Sequence, residues 1–232
     1  ARGFIFRKFS DVAVMTALNR PGPMGTGLSA RYIERVKDPE NIVSLHPIYD
    51  EVFKDTCGVP VYQEQIMELA KKLCGYNAKE ADAFRKKIAK KMGVYDERER
   101  FLGGARANGM EKACAEQLFE DISGFGAYAF PKSHAYIYSL VSFYCMWLKT
   151  NFPGAFYAAA LAVDSNEEHQ IRYAAEAKSL GIEILPPDVN LSGETLCLRE
   201  EAGKPQILGS LTDVRHVGPA AAKVVAESAP YK

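Results

Sequence analysis

Five positively charged residues lie within seven consecutive positions, and this basic cluster is the first candidate for binding chemistry in the 232-residue chain. A helix would gather most of these side chains on one side. Ammonium groups and guanidinium forks neutralise phosphate oxygens, and counterion release favours association with a nucleic-acid backbone. The cluster predicts contacts with a polyphosphate, although a solvated helix face shows the same pattern. Its members are Arg85, Lys86, Lys87, Lys90 and Lys91.

A second candidate is the tripeptide Lys132-Ser133-His134, which follows an aromatic, glycine-containing loop. We expect a helix to begin here, so that unpaired amides, a hydroxyl, an imidazole and an ammonium would converge on one anion such as a triphosphate. The alternative is structural: Ser133 caps the helix, His134 forms a buried hydrogen bond and Lys132 lies on the surface. Tyr128 and Phe130 would stack on a base or pack within the protein.

A third candidate lies near the end, where residues 211–223 predict a helix, a tight turn and a second helix. The turn at Val217 and Gly218, with Lys223 beyond it, resembles helix-hairpin-helix modules, whose backbone amides grip a DNA phosphate without reading the bases. His216 stands where that motif commonly has a glycine. A plain turn between two helices is the competing interpretation.

The composition excludes several classes of protein. With 47% hydrophobic and 25% charged residues the chain is neither disordered nor fibrous, and 29 basic against 29 acidic side chains give no net charge. Five cysteines without a CxxC pair predict neither a zinc cage nor a disulfide framework, which favours a reducing cytosol. Carboxylates are scattered, with no DxD, HExxH, GxSxG or P-loop motif, so no catalytic metal pair is evident.

Apolar residues at helical spacing predict two well-defined helices in the first half of the chain. We expect Gly75 to end the first, and Asn77 with Glu80 to form a capping box at the start of the second. Their apolar stripes are Ile66, Leu69, Ala70 and Leu73 in the first helix and Ala81, Phe84 and Ile88 in the second.

Further elements are predicted with less regular patterns. The apolar run 135–148 predicts a buried core helix, because it is shorter than the roughly 20 residues that a membrane-spanning helix needs. Gly103 and Gly104 predict a break between helices, and Ser165 with Glu168 predicts another capping box. Short extended runs predict a small β element, at 182–185, 195–198 and 206–208.

Several separated motifs, in one order, resemble the family C replicative DNA polymerases of bacteria, the DNA polymerase III alpha subunits. They begin with Ala17-Leu-Asn-Arg20-Pro-Gly-Pro-Met24 and Thr56-Cys-Gly-Val-Pro-Val-Tyr62-Gln-Glu-Gln-Ile-Met67. The others are the basic segment 81–91, the loop and helix start 125–136, the apolar segment 140–149 and residues 184–190.

This resemblance implies a mainly α fold, in three parts of a longer polypeptide. Residues 1–28 would form the junction of palm and fingers, 29–181 a helical fingers domain, and 182–232 a small β element leading into a helix-hairpin-helix module. The magnesium ions of such a polymerase would be bound by palm aspartates outside this chain. The isolated chain is therefore expected to be inactive.

The function implied is that of a DNA-directed DNA polymerase whose fingers bind the incoming dNTP and primer-template DNA during replication. Other replisome subunits are implied as partners, no membrane is, and the location is the cytoplasm of a bacterium or of a phage-infected bacterial host. The dNTP or phosphate would be bound by Arg20, Arg85, Lys86, Lys90, Lys91, Lys132, Ser133 and His134, and DNA by Val217, Gly218 and Lys223.

The chain departs from the family pattern at four positions. Pro131 replaces a usual Asn, Ala129 a Gly or Cys, Ala89 a Gly, and Lys86 an Arg, which removes a bidentate fork. A divergent host or a phage-encoded member would explain these changes. Two other function classes stay open: a non-catalytic helix-hairpin-helix DNA-binding module, with steeply salt-dependent binding, and a small-molecule enzyme, which would need clustered acids.

Overall fold

The computed structural model describes residues 3–231, apart from the side chain of Phe125. The chain divides into two compact units, the first ending at Val141 and the second beginning at Ser142. The predicted mainly α fold with a small β element is confirmed. The three-part division at residues 28 and 181 stays a prediction.

Helices make up nearly all regular structure of the first unit. Single turns of 3-10 helix lie at Pro39–Asn41, Lys54–Thr56, Tyr95–Glu97 and Gly126–Tyr128. The α-helices are α1 (Phe9–Leu18), α2 (Pro21–Gly25), α3 (Leu28–Lys37), α4 (Pro47–Phe53), α5 (Gln63–Cys74), α6 (Ala78–Lys90), α7 (Arg98–Ala107), α8 (Lys112–Phe125) and α9 (Lys132–Asn151), of which α9 continues beyond the unit's end.

The helices α5 and α6 form as the sequence predicts. Gly75 ends α5 in the left-handed conformation, at φ 71°. At the start of α6 the side chain of Asn77 accepts a hydrogen bond from the Glu80 amide (3.0 Å), and the Glu80 carboxylate accepts one from the Asn77 amide (2.9 Å). The predicted stripes are buried in one core, in which Phe84 stacks on Phe101. The face of α6 opposite this core is therefore free to carry charge.

The predicted break at Gly103 and Gly104 is wrong, because both residues lie inside α7. A Cβ on Gly104 would lie 2.6 Å from the Cα of Cys74. The glycine thus permits close approach of two helices, a use that sequence alone does not distinguish from a helix break.

The second unit combines three helices with a small sheet. The sheet has the order β1-β3-β2, with β1 parallel and β2 antiparallel to β3. Its elements are α10 (Pro153–Val163), α11 (Glu167–Ser179), β1 (Glu183–Leu185), β2 (Cys197–Glu201), β3 (Lys204–Leu208), a 3-10 turn at Leu211–Asp213 and α12 (Pro219–Glu227). The predicted β element is confirmed.

Two local predictions in the second unit are wrong. The residue that caps α11 is Asn166, which accepts a hydrogen bond from the His169 amide (3.1 Å), and not Ser165. The first helix predicted for the hairpin module is only the single turn at Leu211–Asp213. For α11 the sequence predicts the wrong cap because Ser165 and Asn166 are neighbours and Asn and Ser are comparable caps.

The expectation that residues 135–148 form a buried core helix is also wrong. Helix α9 buries Ala135 and Ser139, whereas Ile137 is 62% exposed, Met146 63% and Trp147 48%. Apolar composition shows that a surface would gain from burial, but not which surface would cover it.

Across the described residues 3–231, no helix combines the length and apolar character needed to span a bilayer.

Candidate functional site

The aromatic segment 126–130 is fixed by backbone pairing to the residues before α5. The Phe130 amide donates to the Val61 carbonyl (2.9 Å), and the Gln63 amide donates to the Phe130 carbonyl (3.0 Å). These two bonds form an isolated parallel bridge between Tyr62 and Phe130. The loop that precedes Lys132 therefore has a defined position within the first unit.

The side chain of Gln63 joins this segment to the basic helix α6. Its amide nitrogen donates to the Ala129 carbonyl (3.1 Å), while its carbonyl oxygen accepts a hydrogen bond from Arg85 Nη1 (3.0 Å). Gln63 thus joins the basic helix to the loop that precedes the Lys132-Ser133-His134 tripeptide. The structure places the basic helix beside the segment that leads into Lys132-Ser133-His134.

Arg20 supports the same segment from the side of α1 and α2. Its Nη2 donates to the Tyr128 carbonyl (2.7 Å) and its Nε to the Ala17 carbonyl (2.8 Å). The guanidinium carbon lies 4.5 Å from the centre of the Phe130 ring, a cation–π distance. Burial lowers the pKa of Arg20, and an arginine nevertheless stays charged in proteins. Arg20 therefore positions the loop and adds positive charge beneath it.

The ring of Tyr128 lies next to Gly22 and to the ammonium of Lys91. A Cβ built on Gly22 would lie 2.5 Å from the Tyr128 ring, so only glycine permits this contact. The ammonium nitrogen of Lys91 lies 5.5 Å from the centre of the same ring. Lys91 itself ends α6 in the left-handed conformation, at φ 53°. The turn after Arg20 and the end of α6 therefore meet at Tyr128.

The start of α9 differs from the prediction of unpaired amides. The backbone amide of Lys132 donates to both carboxylate oxygens of Glu64, at 2.9 and 3.0 Å. A carboxylate is favoured at this position because the amides and dipole at a helix N-terminus attract negative charge. Ser133 and His134 are exposed, and the His134 ring lies 5.2 Å from the Phe130 ring. His134 therefore does not form the buried hydrogen bond of the structural alternative.

On α6, two of the predicted cations share one carboxylate. Arg85 Nε and Nη2 lie 3.0 and 2.9 Å from Asp82 Oδ1, and Lys86 Nζ lies 2.7 Å from Asp82 Oδ2. Hydrogen bonds from Lys86 and Arg85 lower the pKa of Asp82. Lys87 instead pairs with Glu97 at 2.5 Å. Lys87 is thus the member of the basic cluster whose ammonium pairs with a carboxylate outside α6.

The first unit therefore brings most predicted phosphate-binding residues to one cationic cluster. We use this name for the residues at the start of α9 and the side chains tied to the loop before it, together with Lys86, which joins them only through Asp82 and Arg85. They are Arg20, Gln63, Arg85, Lys86, Lys91, Lys132, Ser133 and His134. Lys90 is exposed on the last turn of α6.

Sequence reasoning missed three polar residues of the site. Gln63 and Glu64 were visible only as polar residues in the motif that precedes α5, and Asp82 as an acidic residue within a basic segment. The partner of Glu64 lies 68 positions away, and no local pattern in the sequence identifies a contact of that separation. The partners of Asp82 lie three and four positions further along α6, the spacing of helical ion pairs, so the sequence contains a local signal for that pairing.

The candidate DNA-binding hairpin belongs to the second unit. Gly218 is the N-cap residue of α12, and the Val217 amide donates to the Val214 carbonyl (3.0 Å). His216 adopts φ 70°, the left-handed conformation for which the related motif uses glycine. Lys223 lies 3.9 Å from Glu227, an exposed pair. At position 216 the turn therefore has the left-handed backbone conformation that favours glycine, although the residue is a histidine.

Within residues 3–231, no three His, Cys, Asp or Glu side chains are grouped so that they could hold a metal ion.

A helical unit with cations and aromatic rings around one loop defines a class of protein suited to phosphate or nucleic-acid binding. Comparison with known proteins identifies the family. Residues 6–109 match the bacterial DNA polymerase III alpha subunit finger domain. The chain is 35% identical over 222 residues, 95% of its length, to the DNA polymerase III subunit alpha of Aquifex aeolicus. It is 37% identical over 238 aligned residues to that of Thermus aquaticus and 36% over 231 to that of Chlamydia trachomatis, each match including 97% of the chain.

The chain belongs to the family of bacterial DNA polymerase III alpha subunits and includes their finger domain. It spans 18–19% of the length of these three relatives, about a fifth.

Proposed function

We propose that this chain is the fingers part of a DNA-directed DNA polymerase and that its cationic cluster binds the triphosphate of the incoming dNTP. Family membership supports the polymerase, whose reaction joins a primer 3′-hydroxyl to the α-phosphate of a dNTP. One observation carries the assignment of the site: Gln63 contacts both Arg85 of the basic helix and the carbonyl of Ala129 in the loop before Lys132. The basic helix and the loop that leads into the Lys132-Ser133-His134 tripeptide therefore lie side by side.

The charges of the cluster suit a triphosphate. Arg85, Lys86, Lys90 and Lys91 would neutralise phosphate or nearby DNA backbone, because guanidinium and ammonium groups form strong charge-assisted hydrogen bonds with phosphate oxygens. Lys132, Ser133 and His134 would position phosphate at the start of α9. Arg20, whose side chain donates to two backbone carbonyls, would hold the loop and add positive charge.

The chemistry itself belongs to residues outside this chain in the proposal. Magnesium would neutralise the reacting phosphates when bound by aspartates of the palm. The residues described here bind and orient the nucleotide, and we expect no polymerase activity from the 232-residue chain alone.

The hairpin in the second unit would bind primer-template DNA. The turn at Val217 and Gly218 would present the Gly218 amide to a phosphate, and Lys223 would add an ammonium, without reading the bases. The Val217 amide instead closes the turn on the Val214 carbonyl. Other replisome subunits would be partners through the whole polymerase, in the bacterial cytoplasm. The left-handed conformation of His216 supports a hairpin over a plain turn.

The test uses a polymerase that carries this sequence, with Lys132→Ala and His134→Ala. Loss of one charge-assisted contact is expected to weaken dNTP binding by about 1.5–3 kcal/mol. Single-turnover kinetics at varied dNTP concentration measures this directly, and Lys37→Ala, an exposed lysine on α3, is the matched control. Unchanged dNTP affinity and turnover in both site variants would overturn the assignment.

A further inference from the structure

Two carboxylates accept hydrogen bonds from groups that the proposed function assigns to phosphate binding. Glu64 accepts the Lys132 amide with both of its oxygens, at 2.9 and 3.0 Å. Asp82 accepts hydrogen bonds from Arg85 at 2.9 and 3.0 Å and pairs with Lys86 at 2.7 Å. Glu64 lies on α5 and Asp82 on α6, so two separate elements each direct a carboxylate at the cationic cluster.

We propose that Glu64 and Asp82 are specificity-determining residues, which hold the places of phosphate oxygens until a triphosphate displaces them. This inference rests on the proposed function, because it assumes that the cluster binds the nucleotide's phosphates. It adds two residues that neither the sequence motifs nor the basic cluster identified as part of the site.

Because carboxylate and phosphate compete for the same donors, the affinity of the cluster for a nucleotide would depend on how many phosphates the nucleotide carries. A triphosphate has enough charge and enough oxygens to replace both carboxylates and satisfy every released donor. A monophosphate reaches fewer donors, so one carboxylate stays in place and repels the ligand. The two carboxylates would therefore raise the preference for triphosphates over shorter nucleotides, while lowering the affinity for all of them.

The two pairs also keep the donors ordered in the absence of nucleotide. Arg85 is fixed between Asp82 and Gln63, and the Lys132 amide is aimed at Glu64. Ordering before binding lowers the entropic cost of association. If preorganisation dominates, making a carboxylate neutral weakens dATP binding, and if competition dominates, it tightens dATP binding. The direction of the change in affinity therefore decides between the two.

The experiment measures dissociation constants for dATP, dADP and dAMP with a polymerase that carries this sequence, by calorimetry at fixed ionic strength. The variants are Glu64→Gln and Asp82→Asn, which keep shape and remove charge. Glu68→Gln is the matched control, since Glu68 lies one turn beyond Glu64 on α5 and pairs with Lys71 at 2.7 Å and Lys72 at 3.4 Å. Circular dichroism verifies that each variant is folded.

We expect Glu64→Gln and Asp82→Asn to bind dATP about three- to tenfold more tightly, the scale of one exposed or partly exposed charge interaction. The ratio of dAMP to dATP dissociation constants should fall, because a neutral side chain no longer repels the monophosphate. Glu68→Gln should change neither the dATP affinity nor this ratio. In the absence of ligand, the NMR signal of the Lys132 amide should move in Glu64→Gln and stay in place in Glu68→Gln.

Equal or weaker dATP binding by Glu64→Gln and Asp82→Asn would overturn this inference. The proposed function would survive that result if Arg85→Ala and Lys132→Ala still weakened dATP binding. If Arg85→Ala and Lys132→Ala left dATP binding unchanged, the proposed function would be wrong, and the inference would be overturned with it.

Discussion

The loop of the cationic cluster and the hairpin of the second unit hold their shapes in different ways. Segment 126–130 is tied to residues far away in sequence, through Arg20 and Gln63, which are 108 and 66 positions from their partners. The hairpin is closed by its own backbone, with the Val217 amide bonded to the Val214 carbonyl. The cluster therefore depends on tertiary packing, whereas the hairpin depends on local backbone conformation.

The largest expected effect comes from filling the space beneath the loop. In Gly22→Ala the new Cβ would meet the Tyr128 ring, so the loop or α2 must shift. We expect the free energy of unfolding to fall by about 1–3 kcal/mol, the usual cost of overpacking. Urea denaturation of the chain measures this.

Gly25→Ala is the control for that substitution, because Gly25 lies on the same short helix and a Cβ there meets nothing within 4 Å. Equal losses of stability in the two variants would show that helix α2, and not its contact with Tyr128, accounts for the effect.

A smaller effect of opposite sign is expected in the hairpin. His216 adopts a left-handed conformation, which costs a residue with a Cβ roughly 1–2 kcal/mol and glycine little. Because glycine also loses more conformational entropy on folding, His216→Gly should stabilise the chain by about 0.5–1 kcal/mol. Thermal denaturation followed by circular dichroism measures the change.

Val214→Gly provides the contrast, since Val214 has φ −75°, where glycine relieves no backbone strain and brings an entropic cost together with the loss of an apolar side chain that is 44% exposed. It should destabilise the chain. A destabilising His216→Gly would mean that contacts of the imidazole, and not backbone conformation, determine the hairpin.

The smallest effect is a pH dependence in the cluster. Hydrogen bonds from Lys86 and Arg85 hold the pKa of Asp82 below the ordinary 3.8. A carboxylate with a lowered pKa in the folded state stabilises the protein above its unfolded-state pKa, and this contribution is lost as the pH falls through the folded-state value. Stability should therefore decline less in Asp82→Asn than in the unmodified chain as the pH falls below about 3.8.

Carboxyl NMR of the chain gives the Asp82 titration midpoint directly. A midpoint at or above 3.8 would contradict the pairing with Lys86 and Arg85. Exposure of this carboxylate limits the size of the effect, because water screens the pair.

Much of the fold follows from local patterns, and the site follows only in part. The stripes of α5 and α6 and the Asn77 cap depend on neighbours within a few residues, and the sequence predicts them correctly. The extended runs of the β element are also predicted correctly, although β1 pairs with the distant strand β3. Three features depend instead on distant parts of the chain. They are which residues of α9 are buried, the close approach at Gly104 and the contacts of Glu64. Residue types identified the cations, and the pairing of Asp82 follows from its spacing to Arg85 and Lys86, but the contact of Glu64 with the Lys132 amide required the structure.

The proposed function requires α6 and the start of α9 to bind one triphosphate together. Titration of the 232-residue chain with dATP, followed by NMR of the Arg85 side chain and the Lys132 amide, tests whether they do. We expect both signals to shift with the same dissociation constant. Shifts with different dissociation constants, or a shift of only one signal, would contradict a shared ligand.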